Sequence, residues 1–250
     1  MSGTLDKQQG VRATKNPSGL QGSPAIRSFV RRRGRMTEAQ RRALSDLWPK
    51  YGVAYAPAPL DLQDLFGRDA PCILEIGFGN GDALLTQARQ NPDLDYLGIE
   101  VHDPGIGHCL LEANRQGVEN LRLIQHDAVD VIRDQIPNGS LRAINLFYPD
   151  PWPKKRHRKR RLVQPEFVAL VATSLEPGGR FHTVTDWPDY AEQITAVVDN
   201  NPLLTPITTP HPKRSTTRFE ARGEALGHDV FEQVYQRMLD IPKAGEKEYK

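Results

Sequence analysis

The sequence contains few cysteines and no long hydrophobic run, and both absences limit the class of protein that it encodes. Its 250 residues include two cysteines, Cys72 and Cys109, which lie far apart without a neighbouring Cys or His at metal-ligand spacing. This argues against a disulfide framework or a structural zinc site and indicates a reducing compartment. No apolar run approaches the roughly 18 residues of a membrane-spanning helix, and the N-terminus lacks the apolar core of a secretory signal. We therefore expect a cytoplasmic protein that uses neither a membrane nor a metal.

The net charge of +2 is small, but the positive residues are concentrated in two segments. Residues 1–36 hold eight Lys or Arg and one acid, and residues 154–161, the basic segment, hold seven Lys or Arg and no acid. Each of the two therefore carries +7, which leaves −12 for the rest of the chain. Concentrated positive charge is typical of proteins that bind nucleic acids. A solubilising surface run is the alternative.

Beyond residue 70, the pattern of apolar residues predicts an α/β fold. Short apolar strands are predicted at residues 72–77, 94–101, 121–126, 141–148 and 180–186. They alternate with five predicted helices. The first begins at GNGD and ends near residue 89, and the other four cover about residues 104–115, 128–134, 163–175 and 189–199. Such alternation predicts a mostly parallel sheet with helices on both faces. Residues 229–238 alternate in polarity and favour an antiparallel edge strand, with a helix as the alternative.

Composition divides the chain into four parts. Residues 1–35 are rich in Gly, Ser, Lys and Arg without apolar periodicity, which predicts a flexible basic arm. Residues 36–70 contain a predicted short helix, capped by Thr37, and a proline-rich connector. Residues 71–240 are predicted to form the catalytic domain, and residues 241–250 a C-terminal tail.

A glycine-rich turn follows the first strand of the predicted domain. The segment LEIGFGNGD places Gly77, Gly79 and Gly81 at G-x-G-x-G spacing, two residues after the acid Glu75. Glycines at such a turn let the backbone approach a ligand closely, and the helix that follows offers free N–H groups. A dinucleotide-binding protein typically has G-x-G-x-x-G instead, so the spacing argues against NAD.

Acidic residues also end the next two predicted strands. Glu100 in GIEV could accept hydrogen bonds from ribose hydroxyls, and Asp127 in QHDA could accept one from an adenine amino group. Three carboxylates around one pocket would repel a pyrophosphate. They suit S-adenosylmethionine, which carries a sulfonium and an ammonium and no phosphate. The alternative role of these acids is to cap the helices that follow them.

Residues 145–161, NLFYPDPWPKKRHRKRR, combine an acid, an indole and the basic segment. Asp150 lies between two prolines after the fourth strand, and Trp152 precedes the basic segment. This combination suits an enzyme that acts on a nucleobase while it holds the neighbouring phosphates. Trp152 could stack on a flipped base, or it could pack within its own loop.

Six segments in this order resemble the bacterial tRNA (guanine-N7-)-methyltransferase family: LEIGFGNGD, GIEVHDPGIGHCL, HDAV, NLFYPDPWPKKRHRKRR, FHTVTDW and TRFEARGEALGH. The resemblance covers about residues 70–238. It implies a class I, Rossmann-like methyltransferase fold, S-adenosylmethionine as the cofactor and tRNA as the partner. It also points to guanine 46 in the variable loop of the tRNA.

The resemblance further implies roles for individual residues. Those implied to line the methyl-donor site are Glu75, Gly77, Glu100, Asp127 and Asp150. Those implied to meet the tRNA or its guanine are Lys154, Asp186, Thr217, Arg218, Phe219 and Glu220. Those implied to follow the phosphates are Arg156, His157, Arg158, Lys159, Arg160 and Arg161. Two positions depart from the family: Arg218 replaces a frequent Lys and keeps its charge, whereas Pro153 replaces a frequent His and removes a hydrogen-bonding side chain.

Methylation of guanine N7 depends on positioning more than on acid–base chemistry. N7 carries an in-plane lone pair and no proton at neutral pH, so no general base is needed. The transfer places positive charge on the purine, and a carboxylate that accepts hydrogen bonds from N1–H and the amino group would be favoured increasingly as that charge develops. Asp150 is the first candidate for this acceptor, and Asp186 is the second.

Several alternatives stay open at this level. A NAD-dependent oxidoreductase could use a similar sheet, and a noncatalytic RNA-binding protein could use the positive segments alone. The same fold also permits methyl transfer to another RNA or to a different substrate, because fold does not determine function. We expect a monomer or a homodimer.

Overall fold

The structure is a computed structural model and describes residues 35–207, 220 and 229–239. The predicted basic arm, apart from its last residue, and the predicted C-terminal tail lie outside these residues. Among the described residues, eight strands form one sheet in the order β1-β4-β3-β2-β5-β6-β8-β7. Within the same ranges, no helix has the length and apolar character needed to cross a membrane.

The residues that precede the predicted domain form three short helices and one strand: α1 (Glu38–Asp46), α2 (Trp48–Tyr51), β1 (Gly52–Val53) and α3 (Leu62–Phe66). The predicted helix after Thr37 is confirmed, since Thr37 and Gln40 form a reciprocal capping box at its start. Strand β1 was not predicted. It pairs in parallel with β4, so this N-terminal part extends the sheet.

The predicted alternation of strands and helices is confirmed along the rest of the chain. The elements are β2 (Cys72–Ile76), α4 (Asp82–Gln90), β3 (Asp95–Ile99), α5 (Asp103–Gln116), β4 (Leu121–Ile124), α6 (Ala128–Asp134), β5 (Leu141–Phe147), a 3-10 helix (Lys155–Arg160), α7 (Pro165–Ser174), β6 (Leu175–Thr185), α8 (Pro188–Asp199), β7 (Leu204–Pro206) and β8 (Phe231–Arg237). The sheet is mostly parallel, as expected for such connections.

Two strands differ in detail from the sequence prediction. β6 begins at Leu175, earlier than predicted, because Leu175 pairs with Leu141 across a bulge before the regular pairing resumes at Arg180. The predicted antiparallel strand is present as β8, and the helical alternative is excluded. β8 pairs with β6 on one side and with the short β7 on the other, so β7 occupies the edge.

Helices cover both faces of the sheet, which explains why its central strands are continuous apolar runs. All five residues of β3 are buried. One apolar cluster packs α6, α7 and α8 against the sheet, and includes Val131, Val168 and Ile194. The other packs α1, α4 and α5 against the opposite face, and includes Ala43, Leu84 and Leu110. The helices leave the carboxyl ends of the parallel strands uncovered, and loops at this end of the sheet can form a site.

Candidate functional site

Two adjoining cavities lie at the carboxyl ends of the central strands. The first has a volume of about 190 Å³, and its lining includes Gly77, Glu100, His126, Tyr148 and Asp150. The second has a volume of about 250 Å³, and its lining includes Glu75, Gly77, Gly79, Gly81 and Tyr148. Gly77, Phe147 and Tyr148 line both cavities, so the two form neighbouring parts of one site.

The glycine turn supplies open space to this site. Gly77 and Gly79 adopt φ values of 72° and 58°, in the left-handed region that favours glycine. A Cβ atom added at either position would meet no atom within 4 Å. Since both residues line the second cavity, the backbone here leaves room that a side chain would otherwise occupy.

The other side of the glycine turn is tightly packed against α5. A Cβ atom at Gly81 would lie 2.5 Å from Cys109 Sγ, and one at Gly105 would lie 2.2 Å from the carbonyl oxygen of Gly79. Gly105 therefore allows α5 to approach the turn and hold its backbone in place. Sequence reasoning missed this role; the first of the two glycines in the HDPGIG segment is the signal that could have indicated it.

Glu75 presents a buried carboxyl group to the second cavity. Its side chain is only 3% exposed, and its Oε2 atom has no hydrogen-bond partner among the described residues. Burial raises the pKa of Glu75 to about 8. A buried acid that lacks a partner suits a cationic ligand group, because the ligand would satisfy the oxygen and favour the ionised form.

Glu100 connects the end of β3 to the glycine turn. Its Oε2 accepts a hydrogen bond from Gly79 N at 2.9 Å, and its Oε1 accepts bonds from Val101 N at 2.6 Å and His102 N at 3.1 Å. Backbone donors therefore hold this carboxylate at the wall of the first cavity. A carboxylate has about four acceptor positions, so Glu100 can also accept a further bond from a ligand.

Asp127 acts as the N-cap of α6. Its side chain accepts a hydrogen bond from Val129 N at 2.9 Å, which is the helix-capping role that the sequence left open. Its neighbours His126 and Ala128 line the first cavity, so Asp127 lies at the border of the site.

His126, which lines the first cavity, forms an aromatic pair with Tyr55. The rings of Tyr55 and His126 are stacked, with centroids 3.7 Å apart and an interplanar angle of 7°. Tyr55 Oη also donates to Asp134 Oδ2 at 2.5 Å. Neither His126 nor Tyr55 was predicted as a site residue, because no local pattern links these distant positions. Across residues 35–207, 220 and 229–239, no group of three or more His, Cys, Asp or Glu could hold a metal ion.

The loop that carries Asp150 has an unusual backbone. Tyr148 and Trp152 adopt positive φ values of 51° and 42°, although neither is glycine. Such conformations cost about 1–3 kcal/mol each and persist only where the surroundings fix them. Tyr148 N donates to Val184 O at 2.7 Å, which continues the pairing of β5 with β6 into the loop. Asp150 itself is exposed and lines the first cavity.

Asp186 follows β6, the strand next to β5, and lies at the same end of the sheet as the Asp150 loop. It is half-buried and comes directly after β6, and the bond between Tyr148 N and Val184 O places the starts of the two loops side by side. The structure thus brings the starts of the Asp150 and Asp186 loops to the same end of the sheet.

The basic segment forms the short 3-10 helix after Lys154 and divides into exposed and packed residues. The exposed cations are Lys154, Lys155, Arg156, Arg158 and Lys159. His157 and Arg160 are half-buried against Trp152: the His157 ring meets the indole edge-on at 5.9 Å, and the Arg160 guanidinium lies 5.0 Å from the indole centroid. Trp152 therefore packs within its own loop, which was one of the two alternatives. Burial and neighbouring cations lower the pKa of His157.

Arg161 does not have the phosphate-binding role that was predicted for it. Its side chain is 0% exposed, and Nη2 binds Asp189 Oδ2 at 2.5 Å. The prediction that Arg161 follows the tRNA phosphates is wrong, because the guanidinium points into the protein and each of its three nitrogens already donates a hydrogen bond there. The end of the segment turns inward because Asp189 and Gln193 of α8 provide acceptors for a buried cation.

The last predicted contact segment is only partly described. Thr217, Arg218 and Phe219 lie outside the described residues. Glu220 is described and lies in a helical conformation with 6% of its surface exposed. Glu220 as a residue is therefore largely buried.

Comparison with known proteins gives close relatives. A family model described as "Putative methyltransferase" matches residues 69–233. A tRNA (guanine-N(7)-)-methyltransferase of Nitrosococcus oceani is 52% identical over 217 residues, which cover 86% of this chain and 92% of that protein. A protein of the same name from Cronobacter sakazakii is 52% identical over 219 residues, which cover 85% of this chain and 92% of that protein.

Solved structures match the fold at lower identity. The 16S rRNA methyltransferase KamB has a TM-score of 0.54 and 15% identity, over 71% of this chain and 92% of that chain. TrmN from Thermus thermophilus has a TM-score of 0.51 and 17% identity, over 71% of this chain and 47% of that chain. These likenesses confirm the predicted class I methyltransferase fold, and at such identities they support the fold alone.

Proposed function

This chain belongs to the tRNA (guanine-N7-)-methyltransferase family, and from that premise we propose which of its residues perform the reaction and which guanine it modifies. The enzyme transfers a methyl group from S-adenosylmethionine to N7 of a guanine in tRNA. Family membership excludes the NAD-dependent oxidoreductase and the noncatalytic RNA-binding protein. The finer assignments below rest on the geometry of the two cavities and their surroundings.

The residues at the second cavity fit the methyl donor, and Glu75 carries this assignment. S-adenosylmethionine supplies an electrophilic methyl group attached to a sulfonium sulfur. The buried Glu75 carboxyl, whose Oε2 has no partner in the part of the chain that the structure describes, would face a cationic part of the donor. Gly77 would admit the donor to the space at the turn, while Glu100 would hold the turn and accept a further bond. We assign Asp127 and Asp150 to the border of the same site.

Asp150 is proposed to receive the guanine. It would accept hydrogen bonds from the guanine N1–H and amino group, whose protons become more acidic as positive charge develops on the purine. These bonds therefore stabilise the transition state more than the bound substrate. Asp186 leaves the same edge of the sheet and is the second candidate for this acceptor. No side chain needs to act as a general base, since N7 has no proton to remove.

The exposed cations of the basic segment are proposed to hold the tRNA. Lys154 directly follows the Asp150 loop, and Arg156, Arg158 and Lys159 continue from it on the protein surface. His157 and Arg160 would contribute from their packed positions against Trp152. Thr217, Arg218, Phe219 and Glu220 stay assigned to the tRNA or its guanine as a prediction. We further propose that the enzyme works in the cytoplasm as a monomer or a homodimer.

We propose guanine 46 in the variable loop of the tRNA as the modified position, and a labelling experiment tests it. Unmodified tRNA would be incubated with methyl-labelled S-adenosylmethionine and then cleaved chemically at 7-methylguanine. We expect cleavage at one guanine of the variable loop, and none in a matched transcript with adenine at that position. Cleavage at a guanine outside that loop would overturn the position, and label without any cleavage would overturn methylation at N7.

Removing cations from the exposed part of the basic segment should weaken tRNA binding in a salt-dependent way. In the Arg156→Gln/Lys159→Gln variant, the slope of log affinity against log salt should fall by about 1 for each phosphate contact that is lost. Filter binding or fluorescence anisotropy at several salt concentrations would measure this slope. Arg89→Gln is a control for the loss of one surface charge, because Arg89 is exposed in the last turn of α4, at the amino ends of the parallel strands. Equal slopes for the double variant and the wild type would contradict the assignment.

A further inference from the structure

Arg161 lies at the centre of a buried cluster between the Asp150 loop and α8. Its Nε donates to Pro151 O at 2.8 Å, Nη2 donates to Asp189 Oδ2 at 2.5 Å, and Nη1 donates to Gln193 Oε1 at 2.7 Å. The guanidinium also lies 4.8 Å from the centroid of the Tyr190 ring. A planar, forked cation can serve three acceptors in different directions, which a lysine ammonium on a flexible stem cannot reproduce with the same geometry.

The hydrogen bond from Arg161 to Pro151 fixes the backbone of the loop directly beside Asp150. Pro151 follows Asp150 directly and precedes Trp152, whose φ of 42° requires a fixed backbone. Pro151 has no N–H, so its carbonyl oxygen is the hydrogen-bonding group that its backbone offers. Arg161 therefore fixes the loop at the residue next to the proposed guanine acceptor.

The other bonds of Arg161 reach a helix that begins beside Asp186. Asp189 and Gln193 both belong to α8, which starts at Pro188 after the Asp186–Trp187 pair. This end of the cluster is itself fixed, since Gln193 Nε2 donates to Val163 O at 3.1 Å and Tyr190 Oη accepts from Val163 N at 3.2 Å. One buried guanidinium thus connects the loop of Asp150 to the element that follows Asp186.

We propose that Arg161 is a positioning residue that sets the place of Asp150 relative to Asp186 and thereby controls kcat without touching the substrate. This proposal rests on the proposed role of Asp150 as the guanine acceptor. Positioning has large effects in such a reaction, because a displacement of about 1 Å at the reacting groups can cost about 10²-fold in rate.

Asp189 also binds a second arginine, which provides a matched control. Arg158 Nη2 lies 2.7 Å from Asp189 Oδ1, and the Arg158 side chain is half-exposed on the basic segment. Arg158 and Arg161 therefore share one acid, but only Arg158 can also reach a phosphate. A positioning residue and a phosphate-binding residue should change different kinetic constants.

The first test compares Arg161→Lys with Arg158→Gln. We expect Arg161→Lys to lower kcat by about 10- to 100-fold, while KM for tRNA and Kd for S-adenosylmethionine stay near the wild-type values. Arg158→Gln should instead act mainly by raising KM for tRNA, with a smaller effect on kcat than Arg161→Lys. A fall in tRNA affinity as the main effect of Arg161→Lys, with kcat retained, would overturn the proposal.

A double-variant cycle separates positioning from a general structural role. If Arg161 acts through Asp150, the Arg161→Lys change should have little further effect on kcat in the Asp150→Asn background. Full additivity of the two changes would overturn the role of Arg161 alone. Wild-type kcat for Asp150→Asn would instead refute the role of Asp150 and the inference that depends on it.

Gln193→Met keeps the proposal testable if Arg161→Lys does not fold. This variant removes one acceptor of Arg161 with little change in volume, and leaves the charged pair with Asp189 in place. We expect a smaller fall in kcat with the same lack of additivity in the Asp150→Asn background. Unchanged kcat in a Gln193→Met protein with a wild-type Tm would overturn the positioning role of Arg161.

Discussion

Asp150→Asn is expected to lower kcat for tRNA methylation by about 10²- to 10³-fold, the range seen when one preorganised hydrogen-bonding group is removed from a transition-state site. The amide loses the negative charge and presents N–H donors to a guanine edge that itself donates. Asp150 is exposed on its loop, so the free energy of unfolding should change by less than about 0.5 kcal/mol. Single-turnover kinetics with saturating tRNA and donor would measure the effect.

A second exposed acid controls for the loss of a surface charge. Asp93 is exposed in the turn before β3, at the opposite edge of the sheet, and Asp93→Asn should keep the wild-type kcat. Calorimetry should show that S-adenosylmethionine still binds to the Asp150→Asn protein. Turnover close to wild type in that protein would remove Asp150 from the mechanism.

Glu75→Gln is expected to weaken S-adenosylmethionine binding by about 10²-fold, since loss of one partner from a buried charged pair costs about 2–5 kcal/mol. The amide has nearly the same shape as the acid but cannot ionise in response to a cationic ligand. Isothermal titration calorimetry with the donor would give both dissociation constants. Equal affinities for the wild type and the variant would contradict the proposed place of Glu75.

The same substitution should remove a pH dependence of stability in the donor-free enzyme. Burial raises the pKa of Glu75 from 4.5 to about 8, so between these pH values the folded state binds more protons than the unfolded chain. Stability should therefore fall as pH rises through this window, by on the order of 1 kcal/mol per pH unit. The pKa values of Cys109 and Tyr96 are also raised by burial, that of Tyr96 to about 12, so these groups stay neutral there.

Thermal unfolding of both proteins from pH 5 to 8.5 would test this expectation. The wild-type Tm should decrease with pH more steeply than that of Glu75→Gln. Binding should show the opposite sign: donor affinity should rise with pH for the wild type, because a cationic partner favours the ionised carboxyl, and it should depend less on pH for the variant. Parallel curves for the two proteins would indicate that another group titrates.

Local patterns were sufficient to predict the main strands and helices and the glycine turn of the site. The apolar run of β2 and the glycines at 77, 79 and 81 are contiguous in the chain, so strand, turn and helix could be predicted together. The same holds for Asp150, which follows β5 directly, and for β8, whose alternation in polarity reflects its two faces. In each case the determining interactions lie within a few residues.

Long-range packing decided which residues of similar chemistry perform which task. Arg160 and Arg161 are adjacent and chemically identical, yet one lies against Trp152 and the other is buried on α8. Tyr55 stacks on His126 beside the first cavity, although the two residues are distant in the chain. Asp127 and Glu100 both end strands, yet one caps a helix while the other holds the glycine turn.

The sequence by itself determined the α/β alternation, the acids at the strand ends and the concentration of positive charge after Asp150, because each depends on neighbouring residues. Only the tertiary structure decided that Glu75 is buried, with no hydrogen-bond partner for its Oε2 among the described residues, and that Arg161 faces inward. The burial and hydrogen bonding of a side chain depend on residues that are distant in the sequence and pack around it in the fold. They cannot be predicted from the residues next to it in the chain.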